Sequence, residues 1–185
     1  GTIHKAKVRE IAAENDFSNA KKHDSQDICF VKDGDYSRFI EGYADNVPPA
    51  GDFIDMRGNI IGKHKGIVHY TIGQRKGLGI SSANPMYVCK KNISNQTVVL
   101  GGESDLYSKS LVAEDINLKA YDHINKPLRL KAKVRYKQEE QWATVEQTGD
   151  GTVHIEFDLP QRAIARGQAV VFYDEDVVVG GGTIV

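Results

Sequence analysis

Cys29 lies in the run Lys22-His23-Asp24-Ser25-Gln26-Asp27-Ile28-Cys29-Phe30, where a polar stretch meets an apolar one. A thiol at such a junction can face solvent, and its chemistry depends on how much thiolate it holds. Lys21, Lys22 and His23 favour the thiolate, while Asp24 and Asp27 oppose it, so local charge leaves reactivity open. Packing leaves it open too. Free cysteine is among the most buried residue types, and a Cys29 between Ile28 and Phe30 also reads as a small core residue.

The run Gly62-Lys63-His64-Lys65-Gly66-Ile67-Val68-His69-Tyr70-Thr71-Ile72-Gly73-Gln74-Arg75-Lys76-Gly77-Leu78-Gly79-Ile80 carries a second kind of chemistry. Its glycines at 62, 66, 73, 77 and 79 let backbone amides approach an anion closely. Lys63, Lys65, Arg75 and Lys76 supply charge, and Gln74 a neutral donor. Turns also collect glycine and solvated charge, so a turn is the competing reading.

A third pattern is Leu128-Arg129-Leu130-Lys131-Ala132-Lys133-Val134-Arg135-Tyr136-Lys137. Arg129, Lys131, Lys133, Arg135 and Lys137 share one parity, while Leu128, Leu130, Ala132, Val134 and Tyr136 share the other. In a strand the cations form a row at roughly 7 Å spacing with the apolar set facing inward. Such a row needs an offset. Water with Glu139 and Glu140 supplies one, and an RNA backbone supplies another. Cys29, Cys89 and six scattered histidines form no metal-site spacing; His64 and His69 have no acidic or thiol ligand beside them. Cys89 reads as an ordinary strand residue.

Elements must position these groups. Residues 4–14 read as a helix with Val8, Ile11 and Ala12 on one side, Thr2 or a neighbour as cap and Asn15 near the stop. Tyr36, Phe39, Ile40 and Tyr43 mark a second short helix behind Asp33-Gly34-Asp35, which can cap it. After Pro48-Pro49 the chain reads as strands. Phe53–Met56 with Ile60–Gly62, and Met86–Lys91 with Thr97–Leu100, predict two hairpins. Beyond about residue 110 the pattern is all strand, with Val153, Ile155 and Phe157 on the inner face of a half-buried strand. Gly180-Gly181-Gly182 predicts a bulge or a close backbone approach. The fold class is therefore mainly β with short N-terminal helices: a small β-rich central domain followed by an antiparallel β-barrel, whose closure removes exposed edges.

The 185 residues suit one or two domains with a sizeable core. With a formal net charge of −1, any nucleic-acid contact must come from local patches. No apolar run is long enough for a membrane helix. Reduced thiols fit the cytoplasm.

Asp24-Ser25-Gln26-Asp27-Ile28-Cys29-Phe30, the Gly62–Ile80 run and the ending Gly167-Gln168-Ala169-Val170-Val171-Phe172-Tyr173 through Gly180-Gly181-Gly182-Thr183-Ile184 together resemble the bacterial-type tRNA-uridine 2-sulfurtransferases, or tRNA-specific 2-thiouridylases. That family replaces the 2-oxygen of the wobble uridine with sulfur, using ATP to activate the oxygen and a protein persulfide to supply sulfur. The resemblance implies that Cys29 carries the persulfide and forms a transient disulfide with a cysteine outside this chain. It also implies that Arg135, Tyr136 and Gln168 touch tRNA. The implied division is residues 1–33, the tail of a nucleotide-binding domain with the catalytic cysteine; 34–108, a central domain supporting the tRNA or the active-site loop; and 109–185, a tRNA-binding barrel.

Family members begin with an ATP-binding domain bearing a Ser-Gly-Gly-Val-Asp-Ser loop and a first catalytic cysteine, neither of which occurs here. The chain is thus expected to be a C-terminal fragment, inactive alone, with ATP and magnesium held elsewhere in the enzyme and no cofactor or metal bound by these residues. Its implied partners are tRNA and a sulfur-relay protein or cysteine desulfurase, in the cytoplasm and away from membranes. Two other readings of the residues stay open: a non-catalytic RNA-binding β-barrel module, and a thiol-redox or structural protein.

Overall fold

The computed structural model describes residues 2–22, 31, 35–45 and 47–185. Cys29 and the run around it lie outside these residues. The chain divides into two compact units, residues 1–45 and 46–185.

In the first unit, α1 spans Lys5–Glu14 and α2 spans Tyr36–Tyr43. The cap of α1 is His4 rather than Thr2, and its side chain makes no capping bond. At the other end Asn15 closes the helix, its amide Nδ2 donating to the Ile11 carbonyl at 2.8 Å. The cap expected for α2 is formed: the Asp35 carboxylate accepts from the Arg38 amide at 3.0 Å, satisfying one orphan donor of the first turn. Phe39 and Tyr43, one turn apart, stack with ring centroids 4.5 Å apart. Neither helix buries a residue.

The second unit opens with a four-stranded sheet. β1 is Gly51–Ile54, β2 Ile60–His64, β3 Tyr87–Asn92 and β4 Thr97–Gly101. The spatial order is β2-β1-β4-β3, with both predicted hairpins present and β1 running parallel to β4 between them. The first hairpin is tied at its tip by Asp55, whose carboxylate accepts from the amides of Arg57 and Asn59 and from Asn59 Nδ2, at 2.8–2.9 Å. One face of the sheet holds Phe53, Val88, Val98 and Leu100, all fully buried, against Ile67, Tyr70 and Leu78 from the segment between β2 and β3.

Six strands then close a barrel: β5 Tyr107–Leu118, β6 Leu128–Lys133, β7 Gln141–Gly149, β8 Thr152–Arg162, β9 Ala169–Asp174 and β10 Val177–Ile184. Their order around it is β10-β5-β8-β7-β6-β9. The period-2 pattern of each strand fills the interior. Val153, Ile155 and Phe157 point in with Ala143, Val145, Leu130, Ala132, Val170 and Phe172, all at most 3% exposed.

Closure depends on the glycine run. Gly181 pairs with Asn117 and Thr183 with Glu114, so Asp115 and Ile116 of β5 oppose Gly182 alone. That is a bulge, with Asp115 in the left-handed region at φ 52°, a conformation that Asp tolerates better than most residues. A Cβ at Gly180 would stand 2.6 Å from the Asn117 carbonyl oxygen, and one at Gly181 2.5 Å from that of Val170. The predicted bulge and the predicted close approach are one feature. No helix of the described residues is long and apolar enough to cross a membrane.

Candidate nucleic-acid interface

Arg129, Lys131 and Lys133 of the cationic row lie on β6, and the strand's register decides what each of them meets. Arg129 forks onto Asp158 of β8, with Nη1–Oδ1 2.9 Å and Nη2–Oδ2 2.8 Å. These hydrogen bonds hold the Asp158 carboxyl below its ordinary range and the Arg129 guanidinium above its own. Lys131 pairs with Trp142 of β7 on one side and Tyr173 of β9 on the other. Its Nζ is 3.6 Å from Glu140 and 5.9 Å from the Trp142 ring, while Lys133 Nζ is 5.4 Å from the Tyr173 ring. The offset expected from Glu140 is present for Lys131, while Arg129 is offset by Asp158 on a neighbouring strand of the sheet, an acid that local sequence did not point to.

The strand ends at Lys133, two residues short of Arg135. Parity is lost there, and Tyr136, nominally on the inner face, is 91% exposed. Arg135 turns into the seam between barrel and central sheet. Its Nη2 donates to the Ala163 carbonyl at 2.7 Å and the Ile72 carbonyl at 3.3 Å, and its Nε is buried without a partner. Gln168 is exposed, just ahead of β9, and its carbonyl accepts from the Ile184 amide at 2.9 Å. Because β6 and β9 are antiparallel, with Lys133 opposite Val171, the end of β6 and the start of β9 lie together. The structure thus gathers Arg135, Tyr136 and Gln168 at one end of the barrel.

That end abuts the Gly-rich run. Tyr87, Leu106 and Ala163 form a small buried cluster with Ile72 and Cys89 packed on it. Arg162 approaches Glu103 at 3.5 Å and lies over the Tyr87 ring. Within the run, His64 is structural. Its Nδ1 accepts from the Gly66 amide at 3.1 Å and its Nε2 faces the Gln96 carbonyl at 2.9 Å, so an Nε2–H ring satisfies both. Gln74 organises the loop: its Oε1 accepts from the Thr71 amide and its Nε2 donates to the Lys76 carbonyl, both at 2.9 Å.

Cys89 is half-buried, and its thiol donates to the Tyr87 carbonyl at 3.4 Å. Burial, with Asp105 adding to it, pushes the thiol above its ordinary value and away from thiolate chemistry. Among the described residues no group of three or more His, Cys, Asp or Glu side chains is placed to hold a metal ion.

Sequence reasoning passed over Trp142 and Tyr173. The signal was available in the alternation of β7, where Ala143 and Val145 turn inward and leave Trp142 outward, half exposed. What the strand pattern could not supply was the register that sets Trp142 and Tyr173 on the two strands flanking Lys131, with the Trp142 ring near Lys131 and the Tyr173 ring near Lys133.

Three family models match the chain in succession: a tRNA methyl transferase HUP domain over residues 1–33, a tRNA methyl transferase PRC-barrel domain over 37–102, and an aminomethyltransferase beta-barrel domain over 108–184. Relatives match from end to end. The tRNA-specific 2-thiouridylase MnmA of Acetivibrio thermocellus is 52% identical over 184 residues, which is all of this chain and 51% of the relative. Its counterpart in Clostridioides difficile is 50% identical over the same length and the same shares. The second MnmA of Caldanaerobacter subterraneus subsp. tengcongensis is also 50% identical, with 50% of that protein covered. The chain spans about half the length of the curated relatives it matches. The domain models carry methyltransferase names, but three of them in succession along the chain and identity of this order over its whole length place the chain in the tRNA-specific 2-thiouridylase family.

Proposed function

We propose that the chain is the tRNA-holding and sulfur-carrying part of a tRNA-uridine 2-sulfurtransferase that acts in the cytoplasm. The observation that carries this reading is identity at about half of all positions, over the full chain, to proteins named for that activity. The geometry supports the RNA half of it. Tyr136, 91% exposed, and the exposed Gln168 stand at one barrel end, beside the aromatic and cationic side chains of β6, β7 and β9. A tyrosine ring stacks on an unpaired base, a glutamine amide reads base or sugar, and Arg135 has its Nη1 left for a phosphate.

Cys29 supplies the other half as the persulfide carrier. Its thiolate attacks the sulfane sulfur of a relay protein or desulfurase persulfide, releasing the donor thiolate and leaving Cys29–S–S⁻. That terminal sulfur would then attack C2 of the uridine, the activated 2-oxygen leaving with its activating group, and a cysteine thiolate outside this chain would attack Cys29 Sγ, breaking the S–S bond so that the sulfur stays on the base and a disulfide with Cys29 remains.

ATP and magnesium serve the activation step in this family, and the described residues do not fit them. The Gly-rich run enters a short 3₁₀ turn, Ile67–His69, and then irregular chain, without the strand–loop–helix setting that cradles a nucleotide triphosphate. Residues 1–33, 34–108 and 109–185 are then the carrier, support and RNA-binding parts.

The test is Cys29→Ser beside Cys89→Ser in the complete enzyme, assayed for 2-thiouridine in a substrate tRNA. Serine cannot hold a persulfide, so the first variant should be inactive. The second should keep activity, since Cys89 is a half-buried thiol bonded to a backbone carbonyl. Thiolation at a normal rate by the Cys29 variant would remove the reading.

A further inference from the structure

The stretch from Thr71 to Met86 runs for sixteen residues without helix or strand, and loops of this length in a compact unit are uncommon, usually either functional or disordered. It is not slack. Leu78 is buried, Ile72, Ile80 and Met86 pack on the core of the central sheet, and Gln74 ties the first turn through four hydrogen bonds. Two of these are backbone bonds, from the Gln74 amide to the Thr71 carbonyl at 2.9 Å and from the Val88 amide to the Gln74 carbonyl at 3.0 Å.

Beyond Gln74 the pattern changes. Among the described residues, the amides of residues 75–80 donate to no protein acceptor. Gly77 and Gly79 are left-handed, at φ 74° and 68°, on either side of the buried Leu78. Left-handed residues alternating with ordinary ones turn successive amides toward one side and make an anion-binding concavity. The open groove there, about 400 Å³, is lined by Arg75, Gly77, Gly79, Ser82 and Asn84 among others, and no carboxylate lines it. From Thr71 to Met86 the chain has Arg75 and Lys76 and no acidic residue.

We propose that this loop binds a phosphodiester group of the RNA backbone, with Arg75 and Lys76 as its charges and the amides of residues 77–80 as its donors. The inference rests on the RNA reading above and extends the contact from the barrel onto the central sheet. Position argues for a polyanion over a free small anion. The loop is clamped to the barrel end that carries Tyr136 and Gln168: Arg135 bonds the Ile72 carbonyl, and a Cβ at Gly73 would stand 3.2 Å from that of Ala163. One strand that touches Tyr136 runs on toward the groove.

The test uses the 185-residue chain, an unmodified tRNA transcript and, separately, inorganic phosphate. Filter binding across a salt series should show Arg75→Gln and Lys76→Gln each lowering the log–log slope by roughly 0.7–0.9, the signature of one lost phosphate contact. Both side chains are exposed, so an unchanged urea midpoint certifies the fold. Amide resonances of residues 77–80 should move with tRNA. If tRNA binds the wild type and both variants with one slope, and these amides stay still, the loop proposal falls while the RNA reading stands. Amide shifts that saturate with inorganic phosphate and are absent with tRNA would make this a small-anion site and overturn it. No tRNA binding by the wild type at any salt would remove the RNA reading and this inference with it.

Discussion

Arg135→Ala tests whether the seam between central sheet and barrel is held by one guanidinium. The side chain makes one short bond, 2.7 Å to the Ala163 carbonyl, and one long bond, 3.3 Å to that of Ile72. Hydrogen bonds from a charged donor contribute about 1.5–3 kcal/mol, and only the first has the geometry for the full value. Ala163 is 2% exposed, so its carbonyl finds no easy water when the arginine is gone. The expected loss is about 2–3 kcal/mol, which at a urea m-value of about 2 kcal/mol/M lowers the midpoint by about 1–1.5 M. Trp142, the single tryptophan, sits on β7 and reports barrel unfolding by fluorescence. Arg135→Lys should lose less, because it keeps the charge and one of the two bonds. The same variants separate structure from RNA contact. A phosphate bound at Nη1 makes the alanine variant lose roughly 0.7–0.9 of salt slope while lysine retains it. An alanine variant with the wild-type midpoint would refute the seam argument outright.

Gly181→Ala should destabilise the barrel by about 1–3 kcal/mol, the usual cost of forcing a methyl into a packed site, since the new Cβ would meet the Val170 carbonyl oxygen at 2.5 Å; chemical denaturation measures it, and a neutral result would mean that the bulge relaxes freely. Asp158 has a folded pKa below its ordinary 3.8, first through hydrogen bonds from Arg129 and against opposing desolvation. A depressed carboxylate contributes its stability above the unfolded pKa and loses it as pH falls through the folded value. Urea midpoints of wild type and Asp158→Asn should therefore differ at neutral pH and converge below pH 3.8; a difference that persists in acid would rule out the ion pair as its source.

Parity carried most of the fold. The inward set of β8, Val153, Ile155 and Phe157, is legible because one face of a closed sheet must be apolar, and the bulge is legible because three consecutive glycines have few other uses. The parallel pairing of β1 with β4 was not legible, since it joins two hairpins through contacts distant in sequence. The end of β6 at Lys133 was also hidden. Alternation continues to Lys137 in the sequence, yet the strand ends at Lys133 and Arg135 bonds across the seam to the Ala163 carbonyl, a partner distant in sequence. Cys29 belongs to a different category: its importance came from resemblance, and its position lies outside the described residues.

The cationic face shows why local charge must be weighed after register and before function. Five cations of one parity become four environments: Arg129 forked to Asp158, Lys131 and Lys133 set against aromatic rings, Arg135 in the seam, and Lys137 free of the strand. With a formal net charge of −1, the chain has little long-range pull on a polyanion. Contact must come from groups that match a shape. Exposed ion pairs such as Arg129–Asp158 are weak and screened by salt, so a phosphate that reaches the arginine can displace the carboxylate at small cost. Trp142 and Tyr173, on either side of Lys131, add flat faces on which unpaired bases stack. Under the RNA reading proposed above, such a surface would hold RNA poorly through charge alone and better where splayed bases meet the rings, so binding should favour a bent or looped strand over a regular duplex.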